Sequence, residues 1–302
     1  MSETNENEPK ANWRAGHIAV DWGTTNRRAY AVDANGVVTA RLEDGRGILS
    51  VEPGGFGRAA AEIREALGDA PMLVAGMAGS NRGWREAPYV DCPTDARVLA
   101  ARIAWIEPGR TGIVPGVCQR TPAADVMRGE EVQAIGALAA GLVPTEGLMC
   151  HPGTHAKWIA LRESRIDGFR TMMTGELFAL LRRHSILSTQ LDGGVQPDES
   201  FAAGVADALA GADILSALFG VRARHLLGGG RSDAGYASGL LIGSDVRAAF
   251  DLIMPGIPVA LVGVPALCAL YADALRQAGH DARVIDGETV FLAGIRCIME
   301  LL

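Results

Sequence analysis

The chain of 302 residues has a formal net charge of −7, is 48% hydrophobic and only 5% aromatic, and contains 38 glycines. That length is enough for one large core or two. The acidic balance, with no run of Lys or Arg, argues against a nucleic-acid or anionic-membrane partner. The five cysteines (Cys92, Cys118, Cys150, Cys268 and Cys297) are odd in number and never form a C-x-x-C pair. They argue against a disulfide framework or a zinc site and fit a reducing compartment.

Residues 1–16 are polar, carry three glutamates and lack an apolar centre. They are expected to be a disordered tail, not a signal peptide. No apolar run reaches the roughly 18–20 residues of a membrane helix, so a soluble, cytoplasmic protein is expected. From His17 the chain reads as strand, turn, strand. Ile18 and Val20 alternate into Asp21, the turn is Gly23-Thr24-Thr25-Asn26, and Ala29 to Val32 resume the apolar pattern. Such a turn presents several backbone N–H groups at one point, with Asp21 placed to reach a Mg²⁺ on phosphates. Ordinary polar hairpins share this composition, so an unspecialised turn remains the alternative.

A helix is predicted over 58–67, closed by Gly68, then a buried strand over 72–75 that stops at Gly76. The loop that follows contains Gly79, Ser80, Asn81, Arg82, Gly83 and Trp84. Its polar, charged and flat side chains suit a hydroxylated anion, held by hydrogen bonds, a charge clamp and a stacking face. A surface loop anchored by its Trp is the competing reading. A short apolar piece at 113–114 precedes a helix over 129–142, where Gly136, Ala137 and Ala140 allow another backbone to approach closely. Glu130 and Glu131 lie in its first turn, where acids commonly just complement the helix dipole. Either carboxylate could instead serve as a general base toward the hydroxyl of a bound substrate.

A break at 143–147 leads into a second strand and turn, Cys150-His151-Pro152-Gly153-Thr154-His155-Ala156-Lys157-Trp158. Pro152 and Gly153 preclude the helix that a His151/His155 metal pair needs. Donors from Gly153 and Thr154 and the charge of Lys157 suit a phosphate instead. Thr174-Gly175-Glu176 could face a nucleotide or simply cap a helix. Helices are predicted over 176–187, 201–218, 236–250, 266–278 and 289–302. The domain division is expected at 144/145, giving 17–144 and 145–302, with the last helix packing back toward the first domain.

The string D-W-G-T-T-N-x-R-A resembles the first phosphate motif of the sugar kinase, actin and heat-shock-chaperone ATPase superfamily. P-G-T-H-x-K-W and G-M-x-G-S-N-x-G-W followed by A-P-Y are similar to motifs of its 2-dehydro-3-deoxygalactonokinases. The resemblance runs from about residue 17 to the C-terminus. It implies an α/β chain of two ribonuclease-H-like domains with an interdomain cleft, the actin-like ATPase/sugar kinase fold. Its implied reaction is ATP- and Mg²⁺-dependent phosphorylation of the 6-hydroxyl of 2-dehydro-3-deoxy-D-galactonate.

By the same resemblance Asp21 organises the metal, and Gly23, Thr24, Thr25, Asn26, Arg28, Gly153, Thr154, His155 and Lys157 bind phosphates. Gly263, in a stretch similar to the strand and turn that meet adenosine, allows close approach of the nucleotide. Ser80, Asn81, Arg82, Trp84 and Arg128 face the sugar acid. Glu131 is the expected base, in a Glu-Val-Gln-Ala string analogous to the Asp-x-Asn-Ala of glucokinases, with Glu130 as its substitute. A kinase for another sugar or sugar acid, or a nucleotide-sensing regulator on the same fold, are the rival functions. The assembly is left open, a homodimer included.

Overall fold

The computed structural model describes residues 13–228 and 233–302. It divides into two units, Met1–Gly141 with Glu288–Leu302, and Leu142–Gly287. The disorder expected of residues 1–12 lies outside the described residues. Residues 13–16 depart from the expected tail: Trp13–Ala15 forms a 3-10 turn and Gly16 opens the first strand. Trp13 accounts for this, because its ring is buried and lies 6.3 Å from that of Trp105. So large an apolar surface is costly to leave in water.

The first unit runs β1 (Gly16–Trp22), β2 (Arg27–Asp33), β3 (Val38–Asp44), α1 (Phe56–Leu67), β4 (Met72–Gly76) and β5 (Val90–Asp91). It continues α2 (Ala96–Ala101), β6 (Ala104–Glu107), β7 (Thr111–Ile113), β8 (Val117–Gln119), β9 (Asp125–Met127) and α3 (Glu130–Ala139). The main sheet has the order β3-β2-β1-β4-β7-β6, and β5-β8-β9 form a small second sheet. Central β1 and β4 are almost continuously apolar because both faces are covered, with Ile18, Val20, Met72 and Val74 fully buried. α1 lays Phe56, Ala59, Ala60 and Ile63 into the same core as Trp22. Edge strand β3 instead exposes alternate residues, Arg41 and Glu43 among them, which keeps its free edge charged.

The second unit runs β10 (Gly147–His151), β11 (Ala156–Arg162), β12 (Arg165–Met172), α4 (Thr174–His184), α5 (Glu199–Leu209) and α6 (Ile214–Leu226). Then follow α7 (Asp233–Ala248), β13 (Val259–Val262), α8 (Pro265–Gln277) and β14 (Ala282–Ile285). Its sheet order is β12-β11-β10-β13-β14. Each unit therefore opens with an antiparallel meander whose first strand also pairs, in parallel, with a later one: β1 with β4, and β10 with β13. The two glycine-threonine turns occupy the same place in this topology, between the first and second strands.

The single helix expected over 201–218 is two helices. Gly211 takes φ +93°, and Asp213 caps the next helix by accepting from the Ser216 N–H at 2.9 Å. The final helix, α9 (Gly287–Met299), packs on α3. A Cβ at Gly136 would lie 1.7 Å from the Val290 carbonyl oxygen, and one at Gly294 1.9 Å from that of Val132. The close approach expected at Gly136 is made by α9. Among the described residues, no helix is long and apolar enough to cross a membrane.

Candidate active site

The β1–β2 turn is shaped from beneath. Gly23 N–H donates to the Asn26 carbonyl at 2.9 Å, closing the turn. The amides of Gly47, Ile48 and Leu49 then donate to the carbonyls of Thr25, Gly23 and Thr24 at 2.9, 3.0 and 3.2 Å. With its carbonyls engaged on one side, the exposed turn leaves the N–H groups of Thr24, Thr25 and Asn26 without a backbone acceptor among the described residues. A row of such amides is an anion-binding concavity. Gly47 permits the contact, since a Cβ there would stand 2.4 Å from Thr24 and Thr25 backbone atoms. No motif in the sequence marks this supporting segment.

Asp21, the penultimate residue of β1, lies beside the turn and accepts no hydrogen bond among the described residues. Arg28 Nη1 lies 3.6 Å from its Oδ2, across the strand pair, while Arg28 Nε donates to Glu43 at 3.0 Å. Burial pushes the Asp21 carboxyl up to about 6; Arg28 opposes the rise and Glu130 adds to it. The adjacent Arg27 is structural. It is buried, paired with Asp44 at 2.6 Å, and 5.4 Å from the Trp22 ring.

The charge of Glu130 is felt at Asp21 because two glycines let α3 start against the end of β4. Gly76 (φ +89°) and Gly129 (φ +112°) both sit in backbone conformations closed to most residues. A Cβ on Gly129 would be 3.4 Å from the Gly76 Cα, and one on Gly76 3.5 Å from Asp21 Oδ1. The two glutamates then part company. Glu130 is half-buried and its Oε2 accepts from the Arg128 N–H at 3.1 Å. Glu131 is fully buried, and its Oε2 accepts from the Gly129 N–H at 2.6 Å. Its Oε1 has no partner. Burial, reinforced by the Glu130 charge, pushes the Glu131 carboxyl up to about 8. At neutral pH Glu131 is therefore mainly protonated and ties down the helix start, while Glu130 faces the Asp21 end of the sheet.

Arg128 is also buried, with 9% of its surface exposed. Nη2 donates to the Ala87 carbonyl at 2.8 Å, and the guanidinium carbon lies 4.4 Å from the Tyr89 ring centroid. Nε and Nη1 have no partner. Such a cation is expensive to hold alone and is poised for an anion. Gly79, in the 76–84 loop, makes room for it: a Cβ there would be 2.6 Å from Nη1. Ser80 is buried and its Oγ accepts from the Arg82 N–H at 3.3 Å, whereas Asn81 and Arg82 point to solvent. Trp84 stacks on Phe56 (6.4 Å, 9°) and edges against Trp22 (6.3 Å), the geometry of a loop anchor.

In the second unit the turn after β10 carries a comparable set of amides. Gly153, Thr154 and His155 donate to no backbone acceptor among the described residues. Thr154 and His155 are exposed, and the Lys157 side chain is buried. The start of α4 braces this turn. Glu176 N–H donates to the Thr154 carbonyl at 2.9 Å and its carboxylate meets His155 Nε2 at 2.5 Å. Gly175 fits because a Cβ there would be 2.4 Å from the Gly153 oxygen. Gly263, at the end of β13, leaves the Pro152 carbonyl only 3.2 Å from where its own Cβ would be. Beneath them Asp245 of α7, which sequence reasoning missed, is buried and accepts from Trp158, Thr174 and Tyr271. A lone acid inside the apolar run Leu240-Leu241-Ile242-Gly243-Ser244-Asp245-Val246 was the signal available for it.

The chain as a whole has relatives among known proteins. Residues 21–298 match the family model for 2-keto-3-deoxy-galactonokinase. The chain is 36% identical over 289 residues to 2-dehydro-3-deoxygalactonokinase from Escherichia coli (strain K12), an alignment covering 94% of this chain and 97% of that one. It superposes with a TM-score of 0.86 on the crystal structure of a Sinorhizobium meliloti protein assigned the same activity, at 34% identity, covering 93% and 97% of the two chains. A more distant likeness, with a TM-score of 0.51, 13% identity and 95% of both chains covered, is to the Clostridium difficile activator of 2-hydroxyisocaproyl-CoA dehydratase, whose structure holds ADPNP. That likeness speaks for the fold alone. The chain has the actin-like ATPase/sugar kinase fold and belongs to the 2-keto-3-deoxy-galactonokinase family.

Proposed function

We propose that this chain transfers the γ-phosphoryl group of ATP to the terminal hydroxyl of 2-dehydro-3-deoxy-D-galactonate, giving the 6-phosphate. The observation that carries this reading is the convergence, in the first unit, of a free-amide turn, Asp21 and Glu130 at the ends of β1, β4 and α3, in a chain of this family. Phosphoryl transfer requires donors for phosphate oxygens, a carboxylate for a metal and a carboxylate for the attacking hydroxyl, and each has a candidate here.

The amides of Thr24, Thr25 and Asn26 are suited to phosphate oxygens, as are those of Gly153, Thr154 and His155 in the second unit, with Lys157 adding charge. Asp21 fits Mg²⁺: its carboxylate accepts no hydrogen bond among the described residues, and burial, which pushes it up to about 6, leaves its charge in want of a cation. Among the described residues no group of three ligating side chains forms a cage, which suits an ion carried mainly by phosphates and water. When bound, Mg²⁺ neutralises charge on the phosphate oxygens. Glu130 orients the substrate hydroxyl and takes its proton as the new O–P bond forms and the bond to ADP breaks. Glu130 is preferred here to Glu131, because a fully buried, protonated carboxyl is a poor base. Arg128 suits the substrate carboxylate, with Ser80 supplying a hydroxyl beside it and Asn81 and Arg82 at the loop surface.

The test is ADP release from Mg·ATP with 2-dehydro-3-deoxy-D-galactonate, gluconate or galactonate as acceptor. Release specific to the first acid is the expected result. Release with another acceptor refutes the named substrate, and silence with every acceptor refutes the reaction.

A further inference from the structure

Beneath the phosphate turn of the second unit, one buried carboxylate gathers donors from three other elements. Asp245, on α7, is 4% exposed and forms no ion pair with a basic side chain among the described residues. Its Oδ1 accepts from Trp158 Nε1 of β11 at 2.6 Å. Its Oδ2 accepts from the Thr174 hydroxyl, at the first position of α4, at 2.6 Å, and from the Tyr271 hydroxyl of α8. The next two residues after Thr174 are those that brace the turn. Gly175 packs on the Gly153 carbonyl, and Glu176 holds the Thr154 carbonyl and the His155 ring. Trp158 directly follows Lys157 in β11. One carboxylate thus sets both the start of α4, which supports the turn, and the strand that carries its lysine.

We propose that Asp245 is a positioning residue for phosphate binding, acting through Thr174 to hold the turn of residues 153–155 in its anion-binding form. This rests on the assignment of that turn to the nucleotide. The role is geometric, so an amide of the same shape serves as well. In Asp245→Asn the side-chain oxygen still accepts from Trp158, and the two amide hydrogens match the two hydroxyls, which turn to accept. Thr174→Val removes the hydroxyl that links α4 to Asp245 and to Tyr271, and Thr174→Ser restores it.

The experiment compares the KM for Mg·ATP, the KM for the sugar acid, and the melting temperature in full-length wild type, T174V, T174S and D245N. The expected result is a rise of about tenfold or more in the KM for ATP in T174V alone, with the KM for the acid unchanged. T174S and D245N should stay within about twofold of wild type. A network that merely stabilises the fold lowers the melting temperature of T174V and leaves its KM values alone. An unchanged KM for ATP in T174V, an equal rise in both KM values, or a D245N as impaired as T174V overturns the proposal. Wild-type protein inactive with ATP and every sugar acid refutes the nucleotide assignment itself, a different failure from any of these.

Discussion

Replacing Glu131 with glutamine separates the two adjacent acids of α3. Glutamine keeps the shape and an oxygen for the Gly129 N–H, so the helix start survives. What disappears is a proton equilibrium. The folded chain holds the Glu131 proton up to about pH 8, while the unfolded chain releases it near the ordinary 4.5. Between those values the native state binds more protons than the unfolded state, so stability falls as pH rises, by about 1.4 kcal/mol per pH unit. Across the interval this amounts to at most on the order of 5 kcal/mol. Wild type and Glu131→Gln should therefore melt at similar temperatures near pH 4.5. The variant should become progressively the more stable of the two up to about pH 8 and retain most of its kcat. Thermal melts at half-unit pH steps, with turnover measured on the same samples, decide the matter. A difference in melting temperature that is constant with pH refutes the buried-proton argument. A hundredfold loss of kcat in Glu131→Gln would return the base to that residue.

Glu130→Gln is expected to lower kcat by about two orders of magnitude or more with little change in melting temperature, read by initial rates at saturating substrates. Arg128→Met should raise the KM for the sugar acid by about a hundredfold while leaving the KM for ATP alone, and its melting temperature should hold or rise because an unpaired buried cation is removed. Asp21→Asn should lose most of kcat and raise the Mg²⁺ concentration needed for half-maximal rate, read by Mg²⁺ titration at fixed ATP. In wild type the KM for Mg·ATP should rise as pH falls through about 6, where the free Asp21 carboxyl takes up its proton and competes with the metal. Gly47→Ala, far from any substrate in sequence, should raise the KM for ATP about tenfold, since its Cβ meets the back of the 23–26 turn at 2.4 Å.

Much of this architecture is legible in the residues because it rests on local signals. The run through Ile18, Val20 and Asp21 into Gly23 and Thr24 fixes strand, turn and strand by periodicity and turn chemistry, and Gly153 and Thr154 repeat it. Pro265 and Gly279 bracket α8 as helix punctuation should. What escapes is whatever long-range packing decides. Strand β3 has an apolar face of only three residues, Val38, Ala40 and Leu42, all half-buried, and so short an alternation does not announce it. The Gly47 support lies more than twenty residues from the turn it shapes. Trp84 reads equally well as a stacking face or an anchor until Phe56 is found parallel to it. Glu130 and Glu131 are indistinguishable as letters. Only the path of the chain at Gly129 turns one toward Asp21 and the other into the core.

The pairing of α3 with α9 also bears on the order in which the protein can be made. The second unit is one continuous stretch, Leu142–Gly287, whereas the first is assembled from Met1–Gly141 and Glu288–Leu302. The helix bearing Glu130 rests on a glycine against which a helix synthesised after the whole second unit packs, with Gly294 opposite and no space for a methyl group at either position. On the ribosome, the first unit is therefore completed only after the second has been made. The middle of the chain is free to fold while α3 awaits its partner, so the candidate catalytic carboxylate gains this support only once the second unit has emerged.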